Sequence, residues 1–265
     1  MTLLPEERFS YIIQQLQTVN KVYVIELAKA LRVTPETIRR DLDTLEKEKK
    51  LVRVHGGAVP YHLLIEEPHF ERKENLQHDA KVAIGKTAAS FIENGDKIVV
   101  DVGTTTIHLA QQLHGLSNIT IVTNSLAAAA EFNVALEKKE FDGDVIILGG
   151  VTNPKQKSVT GTLTANMLKR FRFDKAFLSC GGVTFKEITD YDMEEASLSK
   201  LMLEQSSKVF LLADQTKLGQ HSFYSISSLS KVDYIITDTN KPAHWKKALD
   251  SSEVTWVVAS GGEKA

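Results

Sequence analysis

Two adjacent arginines, Arg39 and Arg40, follow closely on the triplet Thr34-Pro35-Glu36. A guanidinium donates in a fixed fork, which suits guanine edges in a major groove and also phosphate oxygens. Thr-Pro-Glu is a helix start: a hydroxyl at the N-cap, proline at the first helical position, and an acid near the positive end of the dipole. The helix expected from Thr37 to Leu45 turns Ile38, Leu42 and Leu45 inward and leaves Thr37, Arg39 and Arg40 on its early exposed face. Before it, Val24 to Leu31 gathers Val24, Leu27, Ala28 and Leu31 on one side. After it, Leu51 to Ala58 is a hairpin tipped with His55-Gly56-Gly57, the glycines supplying positive φ. An arginine pair alone is usually a solvated face. Helix, capped helix and basic hairpin in that order predict a winged helix-turn-helix on duplex DNA. Thr37, Arg39 and Arg40 are expected at base edges and nearby phosphates, with Thr34, Arg53 and His55 at backbone or wing contacts.

A second set of residues could hold an anion. In Asp101-Val102-Gly103-Thr104-Thr105-Thr106 an apolar strand runs into a glycine and three hydroxyls, where exposed amides and a helix start would receive phosphate or carboxylate. Thr123-Asn124-Ser125 opens another helix. Gly149-Gly150 precedes a loop containing Thr160-Gly161. Asp214 and Lys217 end a further strand, an acid and a base three residues apart. Each has a plainer explanation: the threonines and Asn124 as helix caps, Lys217 as a solvated amine. Four such loops on one sheet edge favour a cradle, with phosphate on the Gly103–Thr106 amides and Asp101, Asn124 and Lys217 on hydroxyls or charge.

Other chemistry is poorly represented. The eight histidines lack metal-ligand spacing, so no metal and no cofactor is expected. His108 falls in an expected helix, and Cys180, the only cysteine, ends an apolar strand. No Ser-His-Asp order, nucleophile elbow or Gly-x-Gly-x-x-Gly occurs.

The positioning elements follow from composition and pattern. A chain of 265 residues, 42% hydrophobic and 25% charged, is folded and long enough for two domains. Net charge is −2 overall, but residues 1–57 carry ten Lys/Arg against eight Asp/Glu, a local +2 that leaves −4 elsewhere. DNA affinity must come from a focused basic face. A winged helix-turn-helix is expected at 1–58, its first helix Pro5 to Gln17 with Phe9, Ile12, Ile13 and Leu16 inward. A connector without period spans 59–77. An α/β domain is expected at 78–259. There, short apolar runs at 97–102, 119–123, 145–148, 176–179, 209–213, 234–236 and 254–258 alternate with helices, one through Leu113 and one to about Glu137. Such continuous runs indicate a mainly parallel sheet covered on both faces. No leader-like segment or membrane-length apolar stretch is seen, so a cytoplasmic protein is expected.

Together these motifs resemble the DeoR family of bacterial transcription regulators. The resemblance lies in Glu26-Leu27-Ala28, Thr37 to Leu42, Leu45-Glu46, Arg53 to Ala58, Asp101 to Thr105, Val122-Thr123-Asn124, Gly149-Gly150, Gly161, Asp174 to Phe177, Glu195-Ala196 and Asp214 to Gly219. It implies a sensor of phosphorylated sugars or related intermediates on a ribose-5-phosphate isomerase-like fold, with Lys81, Glu195 and the Asp214/Lys217 pair in the effector response and Lys73 as a further candidate. Departures are the missing glycines near Asn20–Lys21, at Lys49 and near Glu187, where the loop Lys186 to Asp192 would set effector identity. Leu178 and Gly181 stand where the isomerases carry carboxylates, which favours sensing over turnover. The resulting expectation is a non-enzymatic, DNA-binding, at least dimeric repressor of a carbohydrate-metabolism operon, its operator affinity modulated by a phosphorylated sugar or related metabolite. Its rivals are an isomerase-like enzyme with a DNA-binding appendage and a constitutive DNA binder.

Overall fold

The computed structural model describes residues 4–19, 22–48, 50–54, 56–60, 67–245, 249 and 253–259. The chain divides into two compact units, Met1–Glu67 and Pro68–Ala265.

The first unit runs α1 (Pro5–Val19), β1 (Val22–Tyr23), α2 (Val24–Leu31), α3 (Pro35–Lys47), β2 (Leu51–Val54) and β3 (Gly57–Pro60). The strands form a small antiparallel sheet in the order β1-β3-β2. Ile12, Leu16, Leu27, Leu31, Ile38, Leu42, Leu45 and Leu51 share one core, with Phe9 and Ile13 only partly buried at its margin. The turn between α2 and α3 is made by Arg32, in the left-handed region at φ 53°, with its N–H on the Ala28 carbonyl. Thr34 caps α3, its Oγ1 accepting from the Thr37 amide at 3.2 Å, and Pro35 occupies the first turn. Among the described residues of the hairpin, only Gly56 has positive φ, +77°. Gly57 serves a different need: a Cβ there would lie 1.9 Å from the Val22 carbonyl oxygen, so its small size lets β3 pair with β1. His55 lies outside the described residues.

The second unit begins inside the stretch expected to be a featureless connector. Val59 and Pro60 already belong to β3, and Phe70–Glu74 is a short helix with the Phe70 ring buried; residues 61–66 are not described. The main sheet comprises β4 (Lys97–Val100), β5 (Ile119–Thr123), β6 (Gly143–Ile147), then, after the hairpin β7 (Val151–Asn153) and β8 (Ser158–Thr160), β9 (Phe173–Leu178). Past β10 (Gly182–Val183) and β11 (Glu187–Asp190) come β12 (Ser206–Leu212), β13 (Tyr224–Ser228), β14 (Tyr234–Thr237) and β15 (Thr255–Val258). Seven strands align in the order β15-β14-β12-β9-β4-β5-β6, every neighbouring pair parallel. One face is covered by the helices His78–Ala89 and Leu126–Glu137, which bury Ile84, Ala88, Ala128 and Phe132 against Ile98, Val100, Ile121 and Phe177. The other takes the helices Thr162–Leu168 and Met193–Glu204, through Leu168, Ala196 and Met202, over Val99, Val122 and Leu178. Burial on both faces explains the continuous apolar runs. Two small antiparallel additions, β7-β8 and β10-β11-β13, were not expected from the pattern. The helix expected to reach Leu113 is a single turn, Ile107–Ala110.

The strands are stitched at their amino ends. Lys175 Nζ meets Asp96 Oδ2 at 2.5 Å, both buried, and the Lys97 amide donates to Asp174 Oδ2 at 2.8 Å. Chain order runs outward from β4 to β6, then returns to β9 on the other side of β4. The β4/β9 boundary is therefore the switch point, and ligands of such sheets sit beyond the carboxyl ends there.

Candidate functional site

On the first unit, α3 carries its arginines outward. The Arg40 side chain is 80% exposed and Arg39 49% exposed; both lean toward Glu36, at 3.9 and 3.2 Å. These open ion pairs are worth little and exchange readily for phosphate or a base edge. Thr34 and Thr37 share a hydroxyl contact at 2.9 Å. Arg53 is held differently: its Nη1 pairs with Asp43 of α3, and its amide donates to Glu46 Oε1 at 2.7 Å. Its buried Nε has no partner among the described residues. The wing is thus tied directly to the helix that bears Arg39 and Arg40. Nothing in the spacing signals the pair Arg8–Asp41, whose buried guanidinium and carboxylate join α1 to α3 through bonds of 2.7 and 2.8 Å.

On the second unit, Asp101 and Gly103 leave β4 at the switch point. The Gly103 backbone packs so near Ser179 at the end of β9 that a Cβ would lie 2.6 Å from the Ser179 hydroxyl. Ser179 Oγ donates to the Val102 carbonyl at 2.5 Å. The turn that follows leaves the amides of Gly103, Thr104, Thr105 and Thr106 without an acceptor among the described residues. Since the helix after it is one turn long, it is these amides, rather than a helix dipole, that make the electropositive spot. The Thr106 hydroxyl donates to the Asp101 carbonyl at 2.8 Å, and the Thr123 hydroxyl to the Val100 carbonyl at 2.7 Å. Their protons are committed to shaping loops. Thr104 and Thr105 are buried, and their hydroxyls bond to no other described residue.

Charged groups crowd the same edge. Lys81, 3% exposed, donates from Nζ to the Lys73 carbonyl. Burial lowers its pKa to about 8; Asp214 opposes that shift, while Lys217 and Lys73 add to it. Asp214 is buried at the end of β12 and caps the turn Gln215–Lys217 by accepting from the Thr216 amide at 2.9 Å. Lys217 is half-buried, its Nζ 6.0 Å from the Tyr191 ring centroid. Burial alone would lower its pKa, but Tyr191, Asp214, Cys180 and Asp190 outweigh that and hold it charged. It is not the solvated surface amine of the plainer reading. Burial pushes the Asp101 carboxyl up to about 7, against the bond donated by Ser199 Oγ at 2.7 Å, with Asp190 adding to the rise. Ser199 comes from the helix Met193–Glu204, as does buried Glu195, whose carboxylate accepts from Ser158 Oγ at 2.6 Å.

The structure thus brings Lys81, Asp101, Asp214 and Lys217 into one electrostatic neighbourhood, with Asp190, Tyr191 and Ser199 as members that periodicity does not signal. Lys186 to Asp192 is not a loop: Glu187–Asp190 form β11 and deliver Asp190 and Tyr191. Asn124 does not cap its helix, since Ser125 Oγ accepts from the Ala128 amide at 3.1 Å. Gly150 and Gly161 stand at either end of the β7-β8 hairpin. Gly150, at φ +158°, is pressed to Thr164 and the Thr160 backbone, and Gly161 takes φ +100°. Both serve the hairpin's geometry. Leu178 is fully buried in β9, and Gly181 is packed against Ser222 and Tyr191. Cys180 lies in the core, where burial pushes its thiol far up.

A helix-turn-helix with an outward basic helix, followed by a doubly wound domain with a charged cluster at its switch point, defines a DNA-binding regulator with a sensor domain. Comparison with known proteins agrees. Residues 8–62 match the DeoR-like helix-turn-helix domain and residues 76–239 the DeoR C terminal sensor domain. The chain is 37% identical over 253 residues to the HTH-type transcriptional regulator YulB of Bacillus subtilis, covering 95% of this chain and 96% of that one. It is 34% identical over 251 residues to the HTH-type transcriptional regulator GolR of Listeria innocua, covering 94% and 97%. It is 30% identical over 249 residues to the glycerol-3-phosphate regulon repressor of Escherichia coli, covering 94% and 96%. The chain belongs to the DeoR family of transcriptional regulators. Ribose 5 phosphate isomerase A from Neisseria gonorrhoeae aligns over 58% of this chain and 57% of its own at 13% identity, with a TM-score of 0.39, too loose to bear on function. No helix among the described residues is long and apolar enough to cross a membrane.

Proposed function

We propose that this protein is a cytoplasmic, non-enzymatic repressor of a carbohydrate-metabolism operon whose operator affinity is set by a phosphorylated sugar or related metabolite in the sensor domain. The observation that carries the reading is the switch-point cluster. Four amides at Gly103–Thr106, unengaged among the described residues, lie on the sheet edge that also bears two buried or half-buried lysines, Lys81 and Lys217. Amides and lysines suit a phosphate, and Asp101, Asn124, Glu195 and Asp214 suit hydroxyls. The name of the Escherichia coli relative, a glycerol-3-phosphate regulon repressor, supports the same ligand chemistry.

Thr37, Arg39 and Arg40 enter the major groove in this reading, with Thr34 at the backbone. Arg53 orients the wing, and its role at DNA follows from that. One short recognition helix holds a genomic site poorly, so two subunits bind paired half-sites. The signal leaves the sensor through Pro68–Glu74. That segment is held by Lys81 Nζ on the Lys73 carbonyl, by the Phe70 amide on the Lys155 carbonyl at 2.9 Å, and by Gln156 Nε2 on the Pro68 carbonyl at 3.3 Å. A phosphate that engages Lys81 competes with the first of these holds. A shift of about 1–3 kcal/mol in operator affinity suffices for a switch.

The test is a gel-shift series on an operator selected from random-sequence DNA. Phosphorylated three- to six-carbon sugars and polyols are added in turn, alongside thermal-shift assays with the same compounds. Release of DNA by one compound that also raises the unfolding temperature supports the reading. Turnover of that compound by the protein, lost in Lys217→Ala, contradicts it.

A further inference from the structure

Asn124 is fully buried, and both ends of its carboxamide, Oδ1 and Nδ2, lack a hydrogen-bond partner among the described residues. Such a group is costly to bury and is rare in folded proteins, so its position calls for a physical reason. Capping is not the reason, because Ser125 caps the helix. Backbone anchoring is met without the side chain: the Asn124 carbonyl accepts from the Val159 amide at 2.8 Å.

Register shows where the side chain goes. Val99 of β4 pairs with Val122 of β5, and both belong to the core on the face covered by the helix Met193–Glu204. Side chains alternate along strands, so Asp101 and Asn124, each two residues further on, project to that same face side by side at the carboxyl edge. Hydrogen-bonding groups gather there. Ser199 bonds Asp101, and Glu195 takes Ser158 Oγ from β8, the strand that runs beside the Asn124 backbone. The unengaged amides of Gly103–Thr106 follow directly from Asp101.

We propose that Asn124 is the specificity-determining residue of the sensor site, its carboxamide donating to and accepting from hydroxyl groups of a phosphorylated polyhydroxy compound whose phosphate sits on the Gly103–Thr106 amides. The proposal rests on the sensor reading above and adds which group of the ligand is recognised, and by what. A hydroxyl is both donor and acceptor, so adjacent hydroxyls satisfy Oδ1 and Nδ2 together. An apolar tail would leave both unsatisfied. A second anionic group would face Asp101, Asp190 and Glu195 on the same face.

Calorimetric titration of the full chain with inorganic phosphate, propyl phosphate, glycerol 3-phosphate, ribose 5-phosphate and sorbitol 6-phosphate tests this. At least one polyhydroxy phosphate should bind about 10–100-fold more tightly than inorganic phosphate and propyl phosphate. Asn124→Ala should erase that advantage while leaving inorganic phosphate within about twofold of the native protein. Asn124→Leu, close to it in volume and without donor or acceptor, supplies the folding control and should also lose the hydroxyl preference. An Asn124→Ala protein that keeps the full preference overturns the role of Asn124 and leaves the sensor site standing. Equal binding of propyl phosphate and every hydroxylated ligand by the native protein overturns hydroxyl recognition without any variant. Failure of all five to bind the native protein overturns the phosphate-sensor reading itself, and this proposal with it.

Discussion

Arg8 and Asp41 form a buried two-bond ion pair, 2.7 and 2.8 Å, between the first helix and the inward face of the helix that carries Arg39 and Arg40. The bond to Asp41 raises the Arg8 pKa against the cost of burial. Removing the guanidinium strands the buried Asp41 carboxylate: Arg8→Met should cost about 3–5 kcal/mol, and Asp41→Asn should also destabilise. The Arg8→Met/Asp41→Asn double variant should cost far less than the two singles added. Urea unfolding followed by circular dichroism measures all three; additive losses would mean that the pair is not coupled.

Arg39→Ala with Arg40→Ala should abolish sequence-specific operator retention at physiological salt, each arginine contributing about 1–3 kcal/mol of discrimination if it reaches a base. Residual binding should show a shallower dependence on salt, because fewer phosphates are neutralised. Both side chains are exposed, so the unfolding curve should be unchanged within about 0.5 kcal/mol. Undiminished specific binding in a gel shift would remove α3 from the groove.

The two wing glycines should respond in opposite ways to their surroundings. Gly56 sits at φ +77° with open space around its Cα, so Gly56→Ala should cost about 1–2 kcal/mol from backbone conformation alone. In Gly57→Ala the new methyl meets the Val22 carbonyl at 1.9 Å, so β1 must leave β3. That variant should be the more destabilised of the two in denaturant titrations; the reverse order would contradict the pairing of β1 with β3.

Asp101 imposes a definite pH slope. Its carboxyl titrates near 7 in the folded chain against an ordinary value near 4, so between those values the folded state binds more protons than the unfolded state. Its contribution is complete below about pH 4 and is lost as pH rises through about 7. Asp101→Asn removes the burden of a buried charge. Its stability relative to the native chain should therefore improve from pH 5 to pH 8, by an amount on the order of 2–4 kcal/mol. A relative stability independent of pH would show that Asp101 is not shifted.

Much of this architecture is legible in residue order. The runs Ile98–Val100, Ile119–Val122 and Val209–Leu212 announce doubly covered parallel strands, and Thr34-Pro35 announces the start of α3. What escapes pattern has a common cause: contacts distant in sequence. Asp41 interrupts an apolar face for a partner 33 residues away, and no local rule foresees that. The two-residue strand β10 is too short to carry a period. Lys81 and Glu195 lie in unremarkable helical sequence, and only resemblance to the family marks them. Asn124 and Ser125 are equally good caps by type, and only backbone geometry decides that Ser125 caps and Asn124 does not. Thr106 and Thr123 look like ligand donors until their protons are traced to backbone carbonyls.

Because all seven strands of the main sheet run the same way, the two rims of that sheet are under different constraints. The rim bearing Asp96, Asp174 and Lys175 is sewn together and tolerates little revision. The opposite rim hands each strand over to a loop or turn held chiefly by hydrogen bonds. On the sensor reading proposed above, a lineage could exchange the Thr123–Ser125 or Asp214–Gly219 segment and so acquire a new metabolic cue, while the scaffold and the helices that read DNA keep their inherited form.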